Sequence, residues 1–293
     1  MRKTALITGA SSGIGQGIAK AFAREGYDMV ITYAGNPQGA EETRAEVEKL
    51  NAKCYIMQAS LHDPQTPQRL CDEAVKALGH IDVLILNAGR DARSSILSAD
   101  LEYLRYIVES NFYGNLLLCG AVARHMVANK IAGNIQFITS TRGECAHPDD
   151  FLYGGIKAAL NRACKSIAME LSRYNIRVNC VAPGATRVRE HRPPKLPAGT
   201  ELNGKKFYPI DDAIPLKRMG TPEDCAELVA FLASDKASYI TGITIRIDGG
   251  LALPSIPEWF APAQWLDERW ADNQKDIAFG EKERTSIDGR YQF

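Results

Sequence analysis

The chain has 293 residues, 45% hydrophobic and 24% charged, enough apolar material to bury a full α/β core as a globular protein. Lys plus Arg (35) balance Asp plus Glu (35), so the charge gives no case for a nucleic-acid partner or an anionic membrane surface. The seven cysteines form no C-x-x-C pair and the histidines no paired spacing, which argues against a disulfide framework or a zinc site and fits reduced thiols in the cytoplasm.

In chain order, residues 2–8 read as a strand, with no signal-peptide h-region before them, and no apolar stretch reaches membrane-spanning length. The loop Gly9-Ala10-Ser11-Ser12-Gly13-Ile14-Gly15 follows at once, then a helical pattern from Gly17 to Glu25 closed by Gly26. Strand, glycine turn and helix form the context of a dinucleotide site. Gly9 permits the tight turn, and Gly13 and Gly15 let backbone amides and the helix N-terminus approach a pyrophosphate. A second strand is expected at 28–33; its end, Tyr33-Ala34-Gly35-Asn36, lacks the carboxylate that would accept from a ribose 2′-OH. Further strands are expected at 53–58, 81–86, 133–139, 176–182 and 243–247, alternating with helices. That alternation implies right-handed crossovers and a parallel, doubly wound, Rossmann-like sheet of seven strands. The run Ile135–Thr139 ends in Ser140, whose hydroxyl emerges at a strand C-terminus, where open α/β sheets place their ligands. Tyr153 and Lys157 are four apart on the next helix, about 151–174, and project from one face. A cation beside a phenol favours the phenolate and suits it to proton exchange near neutral pH.

The motifs as a set resemble the short-chain dehydrogenase/reductase family, in its compact single-domain branch. Thr8 to Gly15 is similar to its Thr-Gly-x-x-x-Gly-x-Gly motif, and Leu86-Asn87-Ala88-Gly89 to its Asn-Asn-Ala-Gly segment. Asn111 takes the place of its active-site asparagine. Ser140 with Gly143, Tyr153 with Lys157, Pro183-Gly184 and Asp248-Gly249-Gly250 follow in the family's order. The resemblance covers residues 1 to about 252 and implies the sheet order 3-2-1-4-5-6-7. It also implies an NAD(P)-dependent oxidoreductase interconverting a secondary alcohol and a carbonyl. Tyr153 is the implied acid/base; Lys157 tunes it and holds the nicotinamide ribose; Ser140 donates to the substrate oxygen; Asn111 anchors a water chain to Lys157. The implied cofactor set is Gly9, Ser11, Ser12, Gly13, Ile14, Gly15, Tyr33, Asn87, Ala88, Gly89, Tyr153, Lys157, Pro183, Gly184, Thr186 and Val188. A homodimer or homotetramer through the helices at about 100–128 and 151–174 is the implied assembly.

Several positions depart from the family pattern. Tyr33 and Ala34 remove repulsion of a 2′-phosphate without adding an arginine, so the leaning is to NADP, with NAD as the alternative. Ser60 stands where an aspartate usually binds the adenine amino group, and Val188 where a threonine usually meets the carboxamide, with Thr186 nearby. The segment 185–219 is a long basic and proline-containing insertion of the kind that forms lids. Cations crowd three stretches that border the substrate pocket in the resembling fold: Arg90 and Arg93; Arg142 and His147; and Arg187, Arg189, His191, Arg192 and Lys195. They point to a polar substrate, a sugar, polyol or sugar acid, or else they are solvated charges or ligands of the cofactor phosphates. Residues 253–293 form a C-terminal arm holding Trp259, Trp265 and Trp270, aromatic enough to pack on its own or a neighbouring subunit. A nucleotide-sugar epimerase would need another glycine spacing and a larger C-terminal domain, and an enoyl reductase a wider Tyr–Lys interval. A non-catalytic dinucleotide-sensing or scaffold protein would typically lack the tyrosine or the lysine.

Overall fold

The computed structural model describes residues 2–90, 94–188, 200–202, 205–207 and 210–253. Its strands are β1 (Thr4–Ile7), β2 (Asp28–Tyr33), β3 (Cys54–Gln58), β4 (Val83–Leu86), β5 (Asn134–Ile138), β6 (Arg177–Pro183), β7 (Thr200–Leu202), β8 (Lys205–Phe207) and β9 (Thr244–Ile247). Seven of them make one parallel sheet in the order β3-β2-β1-β4-β5-β6-β9, and β7 and β8 pair as a separate antiparallel hairpin within the 185–219 insertion. The order matches the expected 3-2-1-4-5-6-7, counted over the sheet strands alone.

Alternation along each strand feeds two cores, one on each face of the sheet. Leu6, Val30, Leu84 and Phe137 point to one, and Ile7, Ile31, Ile85 and Ile138 to the other. The first core is closed by α3 (Thr66–Leu78), α5 (Gly114–Ala128) and α6 (Phe151–Ser172), through residues such as Leu70, Leu118, Val122, Leu160 and Cys164. The second is closed by α1 (Gly13–Arg24), α2 (Pro37–Glu48) and α8 (Pro222–Ala233), through Ile18, Phe22, Val47, Val229 and Leu232. Helix starts follow local sequence. Thr221-Pro222-Glu223-Asp224 forms a reciprocal capping box with proline in the first turn, and Asn36 with Pro37 caps α2.

The expected helix over about 100–128 is interrupted. It consists of α4 (Leu101–Val108), a π-helical turn at Glu109–Tyr113, and α5. The widened turn carries Asn111, a placement that π-turns share with many functional sites. The insertion also contains α7 (Ile210–Ala213). The C-terminal arm, 254–293, lies outside the described residues. No helix among the described residues is long and apolar enough to cross a membrane.

Candidate active site

The glycine turn is tied to the sheet by Thr8. Its buried hydroxyl donates to Ile85 O (3.2 Å) and accepts from the amides of Asn87 and Ala88 (3.0 Å each), which locks the ends of β1 and β4 together. The Asn87 amide group donates to Thr8 O and Gly9 O, both at 2.9 Å, bracing the turn. Gly9 has a φ of +65°, and a Cβ there would lie 3.0 Å from the Ala88 backbone. A Cβ on Gly15 would collide with Gly9 O and come within 2.6 Å of Asn87 Nδ2. On the outer side, the Asn36 side chain accepts from Gly39 N (3.1 Å), and Thr43 Oγ1 lies 2.9 Å from Ala10 O. Asn36, Gly39 and Thr43 were not anticipated as part of the site. The Asn36 amide group donates to Ser11 O (3.5 Å) across twenty-five residues, a contact with no local signature in the sequence.

Ser12 precedes α1 in extended conformation and makes no side-chain cap bond, so the first amides of α1 are left for a ligand. Beside this turn lies a cavity of about 520 Å³, lined among others by Gly9, Ser11, Ser12, Tyr33, Ser60 and Ala88. A second cavity, about 200 Å³, is lined by Ile14, Asn87, Gly89, Ser140, Tyr153, Lys157, Pro183, Gly184, Thr186 and Val188. Gly89 belongs to both walls, so the two adjoin. A cradle that side chains would fill, an uncapped helix start and two adjoining cavities fit an extended dinucleotide. The larger cavity, at the end of β2, suits the adenosine half, and the smaller the nicotinamide.

In the smaller cavity three chemical groups meet. Ser140 follows β5 with extended backbone, and its hydroxyl oxygen accepts from Arg142 N (3.2 Å), which leaves the hydroxyl proton to point elsewhere. Lys157 is 5% exposed; its ammonium donates to Ile138 O (2.8 Å) and lies 5.4 Å from the centre of the Tyr153 ring. Burial pushes Lys157 down to about 8 from its ordinary 10.5, partly offset by the neighbouring Cys180 thiol. Asn111 is fully buried, and its side chain is held at both ends by the Arg90 backbone, accepting from Arg90 N (2.8 Å) and donating to Arg90 O (2.9 Å). A Cβ on Gly89 would sit 3.3 Å from Asn111 Oδ1 and 3.8 Å from Lys157 Nζ, so this glycine keeps the space between them open. Thr186 and Val188 both reach the cavity, and Val188 also covers Gly13, at 3.0 Å from where a Cβ would be.

The cations expected around the substrate are distributed differently. Arg90 lines the larger cavity, where its guanidinium donates to the Tyr106 hydroxyl (2.7 Å) and stacks over that ring. Arg142 is ion-paired with Asp150 (3.0 Å) and does not line either cavity. His147 is exposed, with Nδ1 2.8 Å from Pro148 O. Arg187 pairs with Asp211 (3.7 Å), and Arg189, with Arg93, His191, Arg192 and Lys195, lies outside the described residues. Long charged side chains follow their partners rather than their neighbours in sequence, as Arg90, Arg142 and Arg187 do here. Among the described residues no group of three or more His, Cys, Asp or Glu side chains could hold a metal ion.

Comparison with known proteins gives the same picture. Residues 9–252 match a family model described as Enoyl-(Acyl carrier protein) reductase. Glucose 1-dehydrogenase 2 of Bacillus subtilis is 31% identical over 252 residues, covering 86% of this chain and 95% of that protein. L-rhamnose 1-dehydrogenase (NAD(P)(+)) of a Sphingomonas species is 34% identical over 256 residues, covering 85% and 96%. The crystal structure of acetoin dehydrogenase from Enterobacter cloacae superposes with a TM-score of 0.78 at 33% identity, covering 88% of this chain and 98% of that one. With the glycine cradle, the Ser140–Tyr153–Lys157 cavity and these relatives in agreement, the chain belongs to the short-chain dehydrogenase/reductase family and is an NAD(P)-dependent dehydrogenase.

Proposed function

We propose that the protein interconverts a secondary alcohol and a ketone on a small, uncharged polar substrate such as a sugar, polyol or hydroxyketone, with NADP as the preferred cofactor. The observation that carries the catalytic reading is the buried Lys157 ammonium set beside the Tyr153 ring in the cavity that Ser140 also lines. Tyr153 gives its proton to the carbonyl oxygen in reduction and takes it back in oxidation. Ser140 donates a hydrogen bond to the same oxygen as charge develops on it. Lys157 stabilises the phenolate and, held by Ile138 O, keeps a fixed position from which to bond a ribose hydroxyl. Asn111, bound to the Arg90 backbone, fixes the wall behind Lys157. The nicotinamide, when bound, supplies or accepts the hydride.

Two observations support NADP. The larger cavity has no Asp or Glu among its described lining residues, and Arg90 is its one charged side chain there. A 2′-phosphate therefore meets no repelling carboxylate, and the one charge on the cavity wall is positive. The uncharged reading is supported by the smaller cavity, whose described lining includes none of Arg90, Arg142 and His147. The names of the glucose, rhamnose and acetoin relatives indicate small hydroxylated substrates. Reduction of a carbon–carbon double bond is disfavoured by the four-residue Tyr153–Lys157 interval. Family members act on small molecules and are usually oligomeric; a homodimer or homotetramer is the proposed assembly, supported by exposed Leu101, Tyr113, Leu117, Phe151 and Met169 on α4, α6, α5 and the π-turn. A panel of sugars, polyols, sugar acids and small ketones, run with both cofactors and followed by nicotinamide absorbance, tests the reading. Turnover of a neutral polyol, sugar or hydroxyketone, faster with NADP, is expected. Exclusive turnover of acidic or steroidal substrates, or an NAD preference, would contradict it.

A further inference from the structure

The Ser140 side of the site sits on a short 3₁₀ turn, Thr141–Gly143, and the Tyr153 side on the first turn of α6. Arg142 touches both. Its backbone amide donates to Ser140 Oγ (3.2 Å), and its carbonyl oxygen lies 2.8 Å from where a Cβ on Gly154 would sit, directly after Tyr153. Gly143 is packed as closely, since a Cβ there would come within 2.9 Å of Ala158 N and Lys157 C. Arg142 Nη1 then pairs with Asp150 Oδ2 at 3.0 Å, and the Asp150 side chain is 1% exposed against 23% for Arg142.

Asp150 is the residue before α6, and its carbonyl accepts the first helical bond, from Gly154 N (2.9 Å). An aspartate there ordinarily turns its carboxylate onto the amides of its own helix. Here it makes no cap bond, and neither carboxylate oxygen has a hydrogen-bond partner, so the Arg142 charge is what compensates this buried anion. Buried pairs of this kind are weak sources of stability, and their better-attested use is to select one geometry.

We propose that Arg142 and Asp150 are a positioning pair that fixes the separation of Ser140 and Tyr153 for proton transfer to one substrate oxygen. The proposal rests on the assignment of Ser140 and Tyr153 made above. Neither partner lines the cofactor cavities, so the pair acts on the chemical step and not on cofactor affinity. Small misplacements of reacting groups cost on the order of 10²-fold in rate.

The test compares Arg142→Met, Asp150→Asn, the double variant and Arg142→Lys, measuring kcat, substrate KM, NADPH affinity by fluorescence titration, and thermal midpoint. Each single variant is expected to lower kcat about 10- to 100-fold while NADPH Kd changes less than about two-fold. Arg142→Lys, which keeps the charge, should recover most of kcat, and the double variant should lose no more than the worse single one. If Arg142→Met does not fold, as judged by the absence of a cooperative thermal transition, Asp150→Asn and Arg142→Lys carry the same comparison. Unchanged kcat in the single variants, losses that simply multiply in the double variant, or a fall in kcat matched by an equal fall in NADPH affinity would overturn the proposal. Tyr153→Phe separates the two levels. If it is inactive while Arg142→Met is fully active, only the positioning role fails; if it is active, the underlying catalytic assignment fails.

Discussion

Lys157→Met offers a test of how the active site is built, through its effect on stability rather than rate. In the cofactor-free fold the ammonium is buried and its pKa stands at about 8, against an ordinary 10.5, chiefly through desolvation. Below about pH 8 the lysine is protonated in both folded and unfolded chains, and the fold carries the whole desolvation cost. At about 1.4 kcal/mol per tenfold change in proton affinity, that cost is roughly 3 kcal/mol. As pH rises from about 8 towards 10.5, the folded chain has released the proton and the unfolded chain still holds it, so stability increases. The cost is gone above the unfolded value. Methionine removes the titration while filling similar space, although it also leaves Ile138 O without its donor, a pH-independent loss of about 1–3 kcal/mol. The wild type should therefore gain on the variant by roughly 2–3 kcal/mol between pH 7 and pH 10. Titrating groups remote from Lys157 are common to both proteins and cancel, and making the comparison in a Tyr153→Phe background removes the phenol that the lysine tunes. Urea denaturation of the two cofactor-free proteins at matched concentration across that range measures the difference. A stability gap that does not change with pH would refute the claim that Lys157 is held as a costly, desolvated cation.

Tyr33→Asp should shift cofactor preference from NADP towards NAD, because the new carboxylate repels a 2′-phosphate and accepts from a 2′-OH; unchanged Kd ratios for the two cofactors would show that the end of β2 does not read the ribose. Gly15→Ala should cost roughly 2–4 kcal/mol of stability, from overpacking and from disturbing the Asn87 bonds that brace the turn, and should weaken cofactor binding at least about 10-fold. Urea denaturation and cofactor titration check both parts, and wild-type cofactor affinity would count against the cradle as described. Ser140→Ala should lower kcat about 10²- to 10³-fold with little effect on cofactor Kd, since it removes a donor to the developing oxyanion; steady-state kinetics with a fluorescence titration decide it.

What could be read from the chain in advance was whatever is encoded locally. Apolar runs located all seven sheet strands to within a residue or two, since strands buried on both faces contain little else. Ser140, Tyr153 and Lys157 could be placed together because a strand end and a helix face have fixed geometries. The π-turn around Asn111 was not visible, because Glu109-Ser110-Asn111-Phe112-Tyr113 is compatible with an ordinary α-helix and the widening answers to the Arg90 backbone twenty-one residues away. The partners of the described cations were hidden for a related reason. Arg142 and Asp150 are eight residues apart, and only the folded chain shows that the arginine pairs with the aspartate. Arg90 was likewise placed by its position after Gly89, whereas Tyr106 decides where its guanidinium rests.

The central claim is that Tyr153 exchanges the proton in hydride transfer, and Tyr153→Phe measures it most directly. The substitution removes the transferable proton and keeps the ring that packs beside Lys157. With the best substrate from the panel, kcat/KM should fall by about 10³-fold or more while NADPH Kd stays within about two-fold of wild type. A variant that keeps more than about a tenth of wild-type kcat/KM would contradict the account.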